Sequence, residues 1–518
     1  MATLRSRKRP ARRPVNDVAK PRGVLHPRVQ KVGPEHFGIV CFDPAKTRSK
    51  FLIADFYGRV LAPPTFVNHN RPDLDAAVAQ VRQAFATFDL RDGVVTVERT
   101  GRYHRLVQHT FSAAGFDTRI LHPFVTKQYR QPVDPGNKTD DTDLAAMQRA
   151  TVTGCALKEN VRDAAWTTLQ LLIRHRRDLV VKGAILNCQV RDHLQAALPG
   201  FADCFDKLWE SPIPWHLLRH FPSAQQLRDA GLTTLCQSLR QAEIRFQQRT
   251  VQTALDWAEQ AAPGDIAADQ HLRIALALYE DRHAKNQQIT ALERDIAGHL
   301  ACTPYVLLLS FPGINVVSAA DFAGEAGPIT DYANSRAITG RSGLRPSRYQ
   351  SDRVDQANGP LLRTCNRKLR AAILGIAENL IVCNHHFRAL AARLKAAGKE
   401  TRQTRIAVAL RFCRIAFHMV AGQQVFRHPC IQGRHYILSK LTAFHREHET
   451  GMVEVLRDLE AAVGQLPRRE HAAEARPLHE ELDRIQTGHR HGPQPLGDIL
   501  PIVLARLGVG GVQSESGE

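Results

Sequence analysis

An α/β domain, then a long helical segment, then a mostly α C-terminal domain is the fold class that this 518-residue sequence predicts. Three observations carry it. Between His36 and about Ala150, apolar runs and breakers follow the order strand, strand, strand, helix, strand, helix, strand, helix. From Asn160 to Leu300, apolar residues recur at helical spacing, as in LLIRHRRDLVVKGAILNCQVRDHLQAAL and HLRIALALYEDRHAKNQQITALERDIAGHL. Beyond them, Pro312-Gly313-Ile314 separates two further helical patterns in LLLSFPGINVVSAADFAGEAG.

Each element of the first domain has its own signal. The run HFGIVCFD predicts a strand over His36–Asp43, and FLIADFY and RVLAPPTFV flank Gly58 as a hairpin should. Asp73 to Phe88 carries apolar residues at helical spacing, and Gly93–Val97 reads as a strand ending at Glu98. A helical stretch from Tyr103 to Ala114, a short strand Asp117–Leu121 and the acidic helix NKTDDTDLAAMQRA complete the set. This is the element order of an RNase H-like (RuvC-like) domain. Strands joined through helices favour a parallel half-sheet, and open α/β sheets bind ligands beyond the carboxyl ends of their strands. Asp43 and Glu98 end strands there, and Asp140 and Asp143 open the last helix.

Carboxylates gathered in one place repel, so their pKa values rise or a cation sits among them; hard oxygen ligands suit Mg²⁺ or Mn²⁺. Taken singly, each acid has a plainer reading. Asp140 and Asp143 fit an N-cap and a first-turn acid, Asp43 a turn residue before Pro44, and Glu98 a partner of Arg99 or Arg102. Their order at the strand ends favours the metal site.

A net charge of +19 and a pI near 9.8 point to a polyanionic partner. No apolar run is long enough to span a bilayer and no signal-peptide core is visible, so a soluble, cytoplasmic, nucleoid-associated protein is expected. The ten cysteines stand in apolar contexts without a C-x-x-C pair, as reduced core residues do. Cys383 with His385 and His386 lacks a second ligand pair nearby and is assigned no zinc. The expected domains are a basic disordered arm (1–34), the α/β domain (35–150), a helical or coiled-coil spacer with an oligomerisation role (151–302), a C-terminal domain (303–430) and a partly disordered extension (431–518). Within the fourth, hydroxyls stand among Arg341, Arg345, Arg348, Arg353, Arg363, Arg367, Lys368 and Arg370, a candidate nucleic-acid surface that surrounds Ser351.

These residues resemble those of the DEDD-type transposases of insertion sequences, described as bridge-RNA-guided serine recombinases with a RuvC-like domain, a coiled coil and a C-terminal transposase domain. The first-domain motif is matched at Asp43, Glu98 and Lys138-Thr139-Asp140-Asp141-Thr142-Asp143, with Leu144 where the family has Ala. The second-domain motif is matched at Pro312-Gly313-Ile314-Asn315, Gly343-Leu344-Arg345-Pro346, Ser351-Asp352, Gly359 through Asn366, Leu369 and Arg370. Asn315, Asp352 and Cys365 each stand where the family has Gly, Leu361 where it has Ile, and Arg363 where it has Lys. The resemblance spans roughly residues 36–430. It implies that Ser351 attacks a DNA phosphodiester and that Asp43, Glu98, Asp140 and Asp143 hold Mg²⁺ or Mn²⁺. It also implies a noncoding guide (bridge) RNA, donor and target DNA, and a homo-oligomer, dimer to tetramer, in which serine and carboxylates come from different subunits. A RuvC-like structure-selective endonuclease and a noncatalytic nucleic-acid-binding relative are the competing functions.

Overall fold

The computed structural model describes residues 21–159, 163–347, 349–351, 354–356, 359–427 and 437–466. Most of the expected basic arm, Arg348, Asp352, Arg353 and the final tail lie outside the described residues. The chain forms two compact units, Met1–Val161 and Arg162–Glu518.

The first unit is a mixed five-stranded sheet with helices. In chain order its elements are α1 (His26–Val32), β1 (Phe37–Pro44), β2 (Arg48–Asp55), β3 (Val60–Asn68), α2 (Arg71–Thr87), β4 (Asp92–Glu98), α3 (His104–Ala113), β5 (Thr118–Leu121), α4 (Pro123–Arg130) and α5 (Asp140–Val152). The strand order is β3-β2-β1-β4-β5. β1 and β2, and β2 and β3, run antiparallel, whereas β1–β4 and β4–β5 are parallel. Both faces are covered. Val40, Phe42, Phe51, Val95 and Val97 pack with α2 and α3, while Ile39, Cys41, Leu52 and Val94 pack with Leu144, Met147 and Ala150 of α5. Such two-sided burial explains why β1 and β4 read as continuous apolar runs instead of alternating ones.

The unit is larger at both ends than the sequence suggests. The expected disordered arm reaching to residue 34 gives way to α1, whose Leu25 flank and Val29 enter the core. Arg28 on that helix bonds Asp92 through Nε (2.9 Å) and reaches Asp117 (2.5 Å), bridging two acids at the start of β4 and β5. The boundary expected at 150 also moves outward, because Ile120 and Leu157 exchange main-chain hydrogen bonds of 2.8 and 3.0 Å beyond α5.

The second unit is mostly helical. Its elements are α6 (Ala164–Ala197), α7 (Ile213–His220), α8 (Ala224–Gln241), α9 (Gln248–Gln260), α10 (Ala268–Ala301), α11 (Val316–Ala326), α12 (Ser335–Arg341), β6 (Tyr349–Ser351), β7 (Val354–Gln356), α13 (Arg367–Cys383), α14 (His385–Ala396), α15 (Thr401–Ala421), α16 (Ile437–Glu447) and α17 (Met452–Gln465). α6 and α10 lie antiparallel along one another: Arg176 bonds Glu293 at 2.5 Å, Arg282 bonds Asn187 at 2.6 Å, and His193 meets His271 at 2.8 Å. The helical or coiled-coil spacer expected over 151–302 is a helix pair within the chain, capped by α7–α9, which have their own core around Trp215, Phe201 and Leu235. At the other end, Leu169, Ile173, Ile296 and Leu300 join the main core of the C-terminal helices. The extension expected from 431 also contributes to that core, through Leu438, Leu441 and Leu459 of α16 and α17. No described helix is long and apolar enough to cross a membrane.

Candidate nucleic-acid processing site

Parallel pairing of β1 with β4 puts Phe42 opposite Val97, so the next residues, Asp43 and Glu98, stand side by side at the carboxyl ends of their strands. α5 is fixed over the same sheet. Thr151 Oγ1 bonds Thr96 Oγ1 of β4 at 3.0 Å, and Gln148 Nε2 donates to the Asp55 and Phe56 carbonyls at the end of β2. The helix starts with a capping box in which Thr142 N–H donates to Thr139 Oγ1 and Thr139 N–H donates to Thr142 Oγ1. Asp140 is consequently exposed in the first turn and Asp143 is buried on the sheet-facing side. The cap is Thr139, not Asp140, which leaves both acids free of the plain N-capping role.

The four acids share one electrostatic neighbourhood. The Asp43 carboxyl is pushed up to about 6, first by burial and then by the charges of Glu98, Asp140 and Asp143, with Lys138 opposing. Asp143 is held by Arg130 at the end of α4, and Thr100 Oγ1 donates to Glu98 Oε2 at 3.4 Å. Lys50 pairs with the neighbouring Asp141 at 2.7 Å. Among the described residues, no three His, Cys, Asp or Glu side chains stand together closely enough to hold a metal ion. The donor chemistry nevertheless fits a hard divalent cation: oxygen ligands only, with like charges that raise one of their own pKa values. Arg130 was not among the sequence-level candidates. Its helix is announced by His122-Pro123, an N-cap and N1 pair in which His122 Nδ1 accepts from Phe124 N–H at 3.2 Å.

In the second unit Ser351 is exposed at the last paired position of a small hairpin, where β6 and β7 run antiparallel with Ser351 opposite Val354. The hairpin stem is closed by Ser347 N–H to Pro360 O (2.9 Å) and Gly359 N–H to Ser347 O (3.0 Å). Past the stem, Asn366 caps α13, accepting from the N–H groups of Lys368 and Leu369 at 3.1 Å, and its Nδ2 donates to buried Glu325 at 2.9 Å. Glu325 also takes a two-pronged bond from Arg174 of α6, at 2.8 and 2.9 Å.

The candidate cations divide into two groups. Arg345, Arg363 and Arg367 are exposed, and Lys368 is half-buried beside the α13 cap. Arg370 is turned inward, donating to Ser342 O (2.8 Å) and Gly343 O (3.1 Å). Gly343 has φ +66°, and a Cβ there would lie 2.3 Å from the Arg370 guanidinium, so the G-L-x-P loop needs glycine. Arg341 donates to Tyr332 Oη at 2.8 Å and to Ala326 O. These two arginines hold the loop that carries Arg345 and Arg363. The Pro312-Gly313 turn is likewise a structural joint. Lys440 Nζ collects the carbonyls of Leu309, Phe311 and Ile314 at 2.7, 2.5 and 2.9 Å, and Asn315 caps α11 by accepting from Ser318 N–H at 2.8 Å.

Comparison with known proteins covers both regions. Residues 40–199 match the IS110-type DEDD model described as a transposase, and residues 305–392 match the model of the transposase IS116/IS110/IS902 family. The chain is 26% identical over 298 residues to an uncharacterized 43.6 kDa protein of insertion element IS110 from Streptomyces coelicolor, covering 55% of this chain and 71% of that one. It is 25% identical over 210 residues to an uncharacterized 44.8 kDa protein of insertion element IS116 from Streptomyces clavuligerus, covering 39% of this chain and 51% of the relative.

Proposed function

From the IS110-type transposase family, to which this chain belongs, we propose that it cuts and rejoins insertion-sequence DNA through a phosphoserine link at Ser351, on an RNase H-like domain that binds Mg²⁺ or Mn²⁺. The observation that carries this reading is the convergence of Asp43 and Glu98 at adjacent strand ends with Asp140 and Asp143, where burial and then the neighbouring carboxylate charges lift the Asp43 carboxyl to about 6. Divalent cations held by these four carboxylates would supply Lewis-acid stabilisation of the charge that develops on the phosphate. The protein's own part is positional: α5 brings its acids to the strand ends, and the hairpin offers the serine hydroxyl to solvent.

In the cutting step the Ser351 Oγ–H bond and one phosphodiester P–O bond break, and a Ser351 Oγ–P bond forms. The proton leaves with a base or solvent, and the departing sugar oxygen takes one up. Rejoining reverses the exchange with a second DNA hydroxyl and restores the serine, so no hydrolysis or oxidant is required. A guide RNA would select the DNA by base pairing, leaving the protein to recognise backbone and helix shape. Assembly of two or more copies is consistent with the apolar side chains that α6 leaves in solvent, Val181 at 56% and Ile185 at 53% exposure.

The test is to mix the protein with DNA of its element ends, RNA transcribed from its flank and Mg²⁺, then denature and resolve the products. Wild type is expected to give DNA covalently attached to protein, and Ser351→Ala none. Normal cutting by Ser351→Ala with no adduct from wild type would replace this mechanism with hydrolysis by activated water.

A further inference from the structure

We infer a second phosphate-binding surface, a cationic groove along α15 that grips the backbone of a nucleic-acid strand away from the serine hairpin. It rests on the reading that this chain handles nucleic acid, but requires neither the metal nor the serine chemistry. Two adjoining cavities of about 710 and 430 Å³ share Leu410 and Arg414 as lining. The first also takes Arg336 of α12 and Arg345 of the following loop; the second takes Arg393 of α14 and Arg411 of α15. Five guanidinium groups from four chain segments therefore line one continuous depression.

Their pattern on α15 follows from helix geometry. Ala407, Leu410, Arg411 and Arg414 are spaced i, i+3, i+4 and i+7, so a small and an apolar residue form the floor while two arginines rise from the same face. The helix contains no acid to offset them. Among the described residues, none of the five arginines pairs with a carboxylate; Arg345 spends one N–H on the Arg336 carbonyl at 3.2 Å. That contrasts with Arg174, Arg177 and Arg405 in the same unit, each of which has an acidic partner. Arginine stays charged at any physiological pH, so five unpaired guanidinium groups around a cavity repel one another until an anion enters. A cavity lined over more than one helix turn suits a run of phosphates better than a single small anion. Arg345 also belongs to the loop leading into the Ser351 hairpin, so the groove continues the candidate nucleic-acid surface onto α14 and α15, which its motifs do not reach.

The experiment compares full-length wild type with a triple variant, Arg336→Gln, Arg411→Gln and Arg414→Gln. A control triple, Arg245→Gln, Arg249→Gln and Arg273→Gln, removes the same charge from exposed positions of the helical insert and α10. Binding to fluorescent duplex DNA, duplex RNA and single-stranded RNA is measured against salt without divalent metal. Because all six arginines are exposed, the melting temperatures should match, and that is checked first. Each lost phosphate contact lowers the salt slope by about 0.9 on duplex DNA and about 0.7 on a single strand. The groove variant should therefore lose roughly 2 to 3 in slope and at least tenfold in affinity on one class of strand; which class responds identifies DNA or RNA as the occupant. An unchanged slope on every probe, or an equal loss from the control triple, would overturn the groove and leave the Ser351 proposal untouched.

Discussion

Asp43→Asn should make the metal-free protein more stable at pH 7 while removing DNA cutting. The sign follows from the direction of the shift. Asp43 has its folded pKa raised to about 6, so the native state holds a proton that the unfolded chain gives up near pH 4. Wild-type stability from this group is intact at low pH and is lost as pH rises from about 4 to about 6. Asparagine fills the same space without the charge, and the loss disappears. Discounted for the partial exposure of the site, the gain at pH 7 is on the order of 1–2 kcal/mol, a few degrees in Tm. Under the proposed mechanism cutting should fall by roughly 10³-fold or more, because one of the carboxylates proposed to hold the cation has gone. Melting curves in EDTA from pH 4 to 8 with a cleavage time course test both halves. Equal pH profiles for variant and wild type would show that burial and the neighbouring acids do not hold a proton on Asp43.

Glu325→Ala should be the most damaging single change in the second unit. The carboxylate has no solvent exposure and joins three segments: α11, which carries it, α6 through Arg174 and Arg177, and the α13 cap through Asn366. Burial pushes its pKa up, but the hydrogen bonds from Arg174 and Asn366 and the two arginine charges outweigh that and hold it below the ordinary glutamate value. Truncation strands Arg174 and Asn366 together. Breaking a buried pair costs about 3–5 kcal/mol, and the partial exposure of Arg174 puts the expectation near the lower end. Since the folded pKa is depressed, the stabilisation is complete above the ordinary glutamate value and fades as pH falls through the folded one. Chemical denaturation of Glu325→Ala and Glu325→Gln should show the larger loss for alanine. A change below about 0.5 kcal/mol in the alanine variant would remove Glu325 as the link between α6 and the α13 cap.

What the sequence could disclose follows from how local each signal is. The five strands of the first unit and the order of its acids were legible because apolar runs with turn residues between them are short-range features, and Asp43 and Glu98 fall at their ends. α1 was hidden because its basic composition resembles a solvated tail. Only the partners Asp92 and Asp117, far along the chain, turn Arg28 into a half-buried anchor. Helical periodicity identified α6 and α10 but not their antiparallel pairing, nor the separate core of α7–α9, since periodicity says that a face is buried and not against what. The arginine-rich stretch looked uniform. Composition does not separate Arg370, which ties down the Gly343 loop, from Arg345, which faces a cavity, and nothing in it singles out Arg411 and Arg414. The motif departure at Asn315 has a local explanation in the structure, where its side chain caps α11.

The central claim is that Asp43, Glu98, Asp140 and Asp143 act as one cation site, and calorimetric titration of Mn²⁺ into metal-free protein tests it most directly. Wild type should bind with saturable heat, and Asp140→Ala, whose exposed side chain contributes little to the core, should weaken binding at least tenfold while melting like wild type. Equal Mn²⁺ binding by the two proteins, or no saturable binding by folded wild type, would contradict the claim.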